Sequence, residues 1–229
     1  MDCTQLIKQA SKMNSAGVHA LSLGNAQTAY QSFRQALQAL SSAAALCDQE
    51  VRFMNCDESK TCSSWQATCL SSCIILGLED EGNYICDNAL VYNIQGMSMN
   101  SDSIAICCHY TMFNLALTLH QRGISVGSQS NLLSAGRMYE QCLKLGADLP
   151  GSFEDNNVVK MAVLNNVAQL QYSLGHFEAA VETLQTIRAL LQETNLEECV
   201  SPAITSFLRL DDLFLNILVT AAPTTAPCA

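Results

Sequence analysis

A chain of 229 residues, 49% hydrophobic and only 14% charged, can bury a substantial core as one continuous domain. Eleven Lys and Arg stand against 21 Asp and Glu, a net charge of −10 with no basic cluster. That excludes the electrostatic footprint of a nucleic-acid binder and disfavours an anionic membrane surface. The N-terminus, MDCTQLIKQASKMNSAG, has no charged-then-apolar leader, and no apolar run approaches the ~18 residues of a membrane span. An intracellular, cytoplasmic protein is expected, its twelve cysteines reduced and mostly small core residues.

In chain order, residues 4–47 form a first amphipathic helix pair jointed at Gly24 and extended by the run ALQALSSAAALCDQE. Residues 48–108 break the pattern as an irregular insertion. Within it DQEVRFMNCDESKTCSS is polar, whereas Ile85, Leu90, Val91, Tyr92 and Ile94 give mixed helix and strand cues. A second pair follows, with Ser101 or Ser103 as N-cap and a joint at Gly123, where ISVGSQS widens the turn. GADLPGSFEDNN is a turn-rich link. In the third pair Val163, Leu164, Val167, Leu170 and Leu174 precede Gly175, and Phe177, Ala180, Val181, Leu184, Ile187 and Leu190 follow it at helical spacing. After the loop NLEECVSP, the segment LRLDDLFLNILVTAA reads as helix or strand. Its LFLNILV echoes ALVYNIQ, so the two are expected to pair as a small β-ribbon. The domain therefore spans 1–222, with 223–229 a disordered tail.

The three pairs share a plan. Gly24, Gly123 and Gly175 stand at the joints, and Gly17, Ala116 and Ala168 are the small residues of the first helices. Ala29, Ala135 and Ala180 are their counterparts in the second helices; Phe33, Tyr139 and Leu184, then Ala36, Cys142 and Ile187, continue the register. Small residues at the crossing let two backbones approach.

This pattern resembles the tetratricopeptide repeat (TPR), a helix-turn-helix of about 34 residues. LNNVAQLQYSLGHFEAAVETL is similar to the repeats of kinesin light chains, and the resemblance covers about half of the chain. It implies a mostly α fold of antiparallel helix-pair repeats in which the first helix of each pair lines a concave groove. Asn14, Asn114, Asn165 and Asn166 then face that groove, with Tyr110, His120, Gln169 and Tyr172 shaping pockets beside them. An asparagine offers a donor and an acceptor, so a row of them can bond an extended peptide backbone whatever its sequence. The other open reading is that these amides only brace the helices. Asn14, Val18, Phe113, Leu117, Asn165 and Gln169 occupy groove positions and none is basic, which departs from the clamp for a chaperone's terminal carboxylate.

No catalytic centre, cofactor or metal site is expected. Among Cys56, Cys62, Cys69, Cys73, Cys107, Cys108 and His109 only Cys69-LSS-Cys73 comes near the paired spacing zinc wants, and its companions are irregularly spaced. The four histidines are scattered, and no phosphate loop occurs. The expected function is non-enzymatic capture of a protein or peptide segment, neutral or basic, in the groove. The alternative is a structural subunit that self-assembles through the apolar stretches 84–94 and 213–219. Neither the partner nor the oligomeric state is legible.

Overall fold

A computed structural model describes residues 2–53, 89–92, 94, 100–147, 149 and 153–193. These residues form six α-helices and no strand: α1 (Cys3–Ser22), α2 (Ala26–Phe53), α3 (Ser101–Ser125), α4 (Gln129–Ala147), α5 (Phe153–Ser173) and α6 (Phe177–Glu193). By their packing they divide into two compact units. The first holds α1 to α4, residues 89–92 and α5 up to Val163; the second holds α5 from Leu164 together with α6.

Three hairpins close by one mechanism. Gly24, Gly127 and Gly175 have φ of 72°, 64° and 80°, the left-handed region that a side chain disfavours. At each, the glycine N–H reaches back three residues and the next N–H five, to Leu21 and Ala20, Ile124 and Gly123, and Tyr172 and Gln171. This paired closure satisfies carbonyls that a helix end otherwise leaves open. Asn25 Oδ1 then accepts from Thr28 N at 3.1 Å to start α2, and Ser128 Oγ from Asn131 N at 3.4 Å to start α4.

The middle hairpin corrects the sequence reading. Its turn glycine is Gly127, not Gly123, and ISVGSQS does not widen a loop. Seven residues are about two helical turns. Here α3 gains a turn at its C-terminal end and α4 one at its N-terminal end, so the core register is kept. Ala116, Ala135, Tyr139 and Cys142 are all fully buried, as are Ala29, Phe33, Ala36, Ala168 and Ala180 in the other pairs. Gly123 lies inside α3, where a Cβ would sit 2.5 Å from Leu132 Cδ2. Leu132 follows directly on the residues that α4 gains, three before Ala135 as Phe177 is three before Ala180, and the missing side chain opposite makes room for it.

In the first unit α1 packs on α2, α2 on α3 and α3 on α4, with α1 also touching α3. Arg122 Nη1 donates to Gln27 Oε1 at 2.9 Å, joining the end of α3 to the start of α2. Sixteen of the 25 residues of α3 are buried, as befits a helix covered on several sides. In the second unit Thr183 Oγ1 donates to Gln171 Oε1 at 2.8 Å and Tyr172 meets the Phe177 ring edge-on across the turn.

Other boundaries differ from expectation. Asn100, not Ser101 or Ser103, caps α3: its Oδ1 accepts from Ser103 N at 2.9 Å. FEDNN opens α5 rather than closing a loop, and α2 runs on to Phe53. Of the expected β-ribbon, residues 213–219 lie outside the described residues. Residues 89–92 carry no strand, because the backbone of Leu90 is bonded by side-chain amides instead.

Candidate functional site

Asn14 on α1 and Asn114 on α3 are fully buried and their carboxamides meet. Buried amides cost free energy unless their hydrogens and lone pairs find partners, and here the partners come from an extended stretch of the chain itself. Leu90 N donates to Asn114 Oδ1 at 2.7 Å, and Asn114 Nδ2 returns a bond to Leu90 O at 2.8 Å. That is the two-bond exchange by which facing strand residues pair, with a side chain acting as the second strand. The other Asn114 hydrogen goes to Asn14 Oδ1 at 2.9 Å, and Asn14 Nδ2 donates to Leu90 O at 2.9 Å. Both hydrogens of Asn114, and both lone pairs of the Leu90 carbonyl, are thereby used.

One turn earlier on each helix a hydroxyl continues the set. Ser11 Oγ donates to Tyr92 O at 3.3 Å, and Thr111 Oγ1 stands 3.3 Å from the Tyr92 phenol oxygen. Thr111 also donates to Cys107 O at 2.7 Å. It has one hydrogen, and the shorter bond claims it, so the phenol supplies the hydrogen between the two side chains. Leu90 meets Asn14 and Asn114 while Tyr92 meets Ser11 and Thr111. Residues 89–92 therefore run antiparallel to both helices, and α1 and α3 lie parallel beneath them. Ala89 and Tyr92 are buried; Leu90 and Val91 are half-buried.

The electrostatics are those of a dry, uncharged cleft. Burial, with the Cys107 thiol beside it, pushes the Tyr92 phenol well above its usual range. Burial likewise raises the Cys108 thiol to about 11 and moves Cys142 further up, so neither is a thiolate at neutral pH. Burial lowers His109 and His120 to about 4, leaving both imidazoles neutral. Among the described residues no three His, Cys, Asp or Glu side chains are grouped to hold a metal ion; Cys56, Cys62, Cys69 and Cys73 lie outside those residues.

Of the other candidates, Tyr110 is 8% exposed, one turn before Asn114. His120 belongs to the α3/α4 packing: its ring meets Tyr139 edge-on, with Nδ1 3.5 Å from the Tyr139 hydroxyl oxygen. Asn165, Asn166, Gln169 and Tyr172 all lie on the part of α5 in the second unit. Asn166 and Gln169 are buried there, Asn165 Nδ2 approaches Asn166 Oδ1 at 3.4 Å, and Tyr172 is exposed.

Sequence reasoning missed Ser11, Thr111 and the occupant. A signal existed: Ser11 precedes Asn14 and Thr111 precedes Asn114 by the same three residues, whereas Val163 stands at that offset from Asn166. A hydroxyl and an amide three apart share one helix face.

No family model, curated protein or solved structure matches this chain. No helix among the described residues is long and apolar enough to cross a membrane.

Proposed function

We propose that the protein is a non-enzymatic interaction module of the TPR-like class, whose parallel α1 and α3 hold an extended peptide from a partner protein. One observation carries this reading: Asn14 and Asn114 grip both backbone groups of Leu90 and no atom of its side chain. A site built that way reads an extended main chain, and neighbouring pockets supply selectivity. Hairpins of one cap geometry, with α2 packed on both α1 and α3, support the repeat reading. The neutral imidazoles and protonated thiols described above are poor general bases and nucleophiles, which favours capture over chemistry. A net charge of −10 favours a neutral or basic partner. The rival reading, self-assembly through 84–94 and 213–219, is weakened at the first segment, where Ala89 and Tyr92 are buried against the chain's own helices; the second lies outside the described residues.

The chain's own Leu90 uses the same amides. The test is therefore selection of a random peptide library on an immobilised Leu90→Pro, Tyr92→Ala chain, followed by affinities on that chain with and without Asn114→Leu. That variant keeps apolar volume but cannot bond a backbone. Selected peptides are expected to bind Asn114→Leu about tenfold more weakly, the worth of two lost hydrogen bonds. Equal binding to both chains, or no enrichment, contradicts the reading.

A further inference from the structure

Resting on that reading, we infer that the α1/α3 cleft selects partner segments of the pattern small residue, aliphatic residue, any residue, tyrosine. Ala89-Leu90-Val91-Tyr92 is a resident copy that such a segment displaces. Each position has its own reason. Ala89 is 7% exposed, so a larger side chain there would need the wall to move. Leu90 is the residue whose N–H and C=O are both gripped, which excludes proline at that place. Val91 is half-buried and no described bond holds its backbone. Tyr92 is the anchor: 2% exposed, its carbonyl on Ser11 and its phenol on Thr111, beside the thiols of Cys107 and Cys108. Large aromatic side chains seated in desolvated pockets with one satisfied polar atom dominate peptide recognition.

The resident segment is suited to displacement. Among the described residues, every hydrogen bond that holds it comes from a side chain, so leaving the cleft breaks no helical backbone bond there, and Thr111 keeps its bond to Cys107. Covalent attachment to α3, nine residues further on at Ser101, gives the resident copy a local concentration on the order of millimolar. A free peptide of equal contacts therefore binds the intact chain only weakly. A partner must make better contacts or a second attachment, which sets a threshold against incidental segments. Phosphate on the anchoring tyrosine would abolish docking, because Tyr92 is seated at 2% exposure and a bulky dianion there would be stripped of water.

The experiment uses the full chain and a fluorescent peptide NALVYNIQ, residues 88–95. Its binding is read by polarisation on the wild type and on a Leu90→Pro, Tyr92→Ala variant in which the resident copy cannot seat. The variant should bind at least about tenfold more tightly than the wild type. Tyrosine replaced by phenylalanine in the peptide should weaken binding about fivefold, and phosphotyrosine should remove it. A second arm needs no variant: excess peptide should accelerate hydrogen exchange at Leu90 of the wild type while α2 and α4 stay protected. A scrambled peptide binding as well, or equal affinity for wild type and a folded variant, overturns the inference. So does unchanged Leu90 exchange under saturating peptide. If library peptides of another pattern bind the asparagine pair and this one does not, the pattern falls and the proposed function stands. If no extended peptide binds the emptied cleft, both fall.

Discussion

Lowering the pH from 7 to 5 is expected to remove about 4 kcal/mol of stability from the first unit, through two histidines on one helix. His109 and His120 are 2% and 0% exposed. His109 Nδ1 and His120 Nε2 find no hydrogen-bond partner among the described residues. Burial holds both near 4 in the folded chain, against 6.5 when free. Above 6.5 both states carry neutral imidazoles and stability does not change with these groups. As the pH falls through that window the unfolded chain takes up two protons that the folded chain refuses, and stability falls until the pH approaches 4. The loss is about 2 kcal/mol per imidazole at pH 5, and the interval stays above the ordinary carboxylate range. Urea unfolding at the two pH values measures it. His120→Leu should remove about half of the difference, and an unchanged midpoint in the wild type would show that the imidazoles are not buried neutral.

The second large effect lies at the first helix crossing. Phe33 is fully buried in α2, and a Cβ added to Gly17 of α1 would fall 2.6 Å from its Cε1. The ring occupies the space where a side chain on α1 would be. Phe33→Ala should cost about 3–5 kcal/mol, the lost transfer energy plus an unfilled cavity. Gly17→Ala gains about 1 kcal/mol of helix propensity yet should be net destabilising, because a ring packed in a core cannot retreat freely. Combined with Phe33→Leu, which frees room at that spot, Gly17→Ala should cost much less than it does alone. Urea midpoints of the four chains close the cycle. Simple additivity would mean that glycine and ring do not share the space.

How far the sequence carried can be seen in particular residues. Gly24 and Gly175 announced their turns, because the apolar period breaks there and a left-handed residue must follow a helix end. Gly123 misled. Both a turn and a close crossing select glycine, and only the one-turn extension of α3 and α4 separates the two uses. Asn14 and Asn114 were legible as groove candidates, but they stand one position apart in the two copies, three residues before Gly17 and two before Ala116, so their direct pairing was not. Nor was their occupant. ALVYN alternates as a strand does, and a strand bonds its backbone to another strand; nothing local shows that side-chain amides serve instead. That bears on the two readings the sequence left open for the asparagines, groove contact or brace. With the amide at 0% exposure and three bonds, truncation leaves Leu90 and Asn14 unsatisfied, at a cost of about 1–3 kcal/mol. His120, expected to shape a groove pocket, instead meets Tyr139 in the α3/α4 packing.

Amide hydrogen exchange at Leu90 tests most directly whether paired asparagines hold an extended main chain. Leu90 belongs to no helix or strand, so only Asn114 Oδ1 accounts for protection of its N–H. The wild type should exchange there about a hundredfold more slowly than a free peptide, and Asn114→Ala should lose that protection while α3 keeps its own. Exchange at the free-peptide rate in the folded wild type would contradict the account.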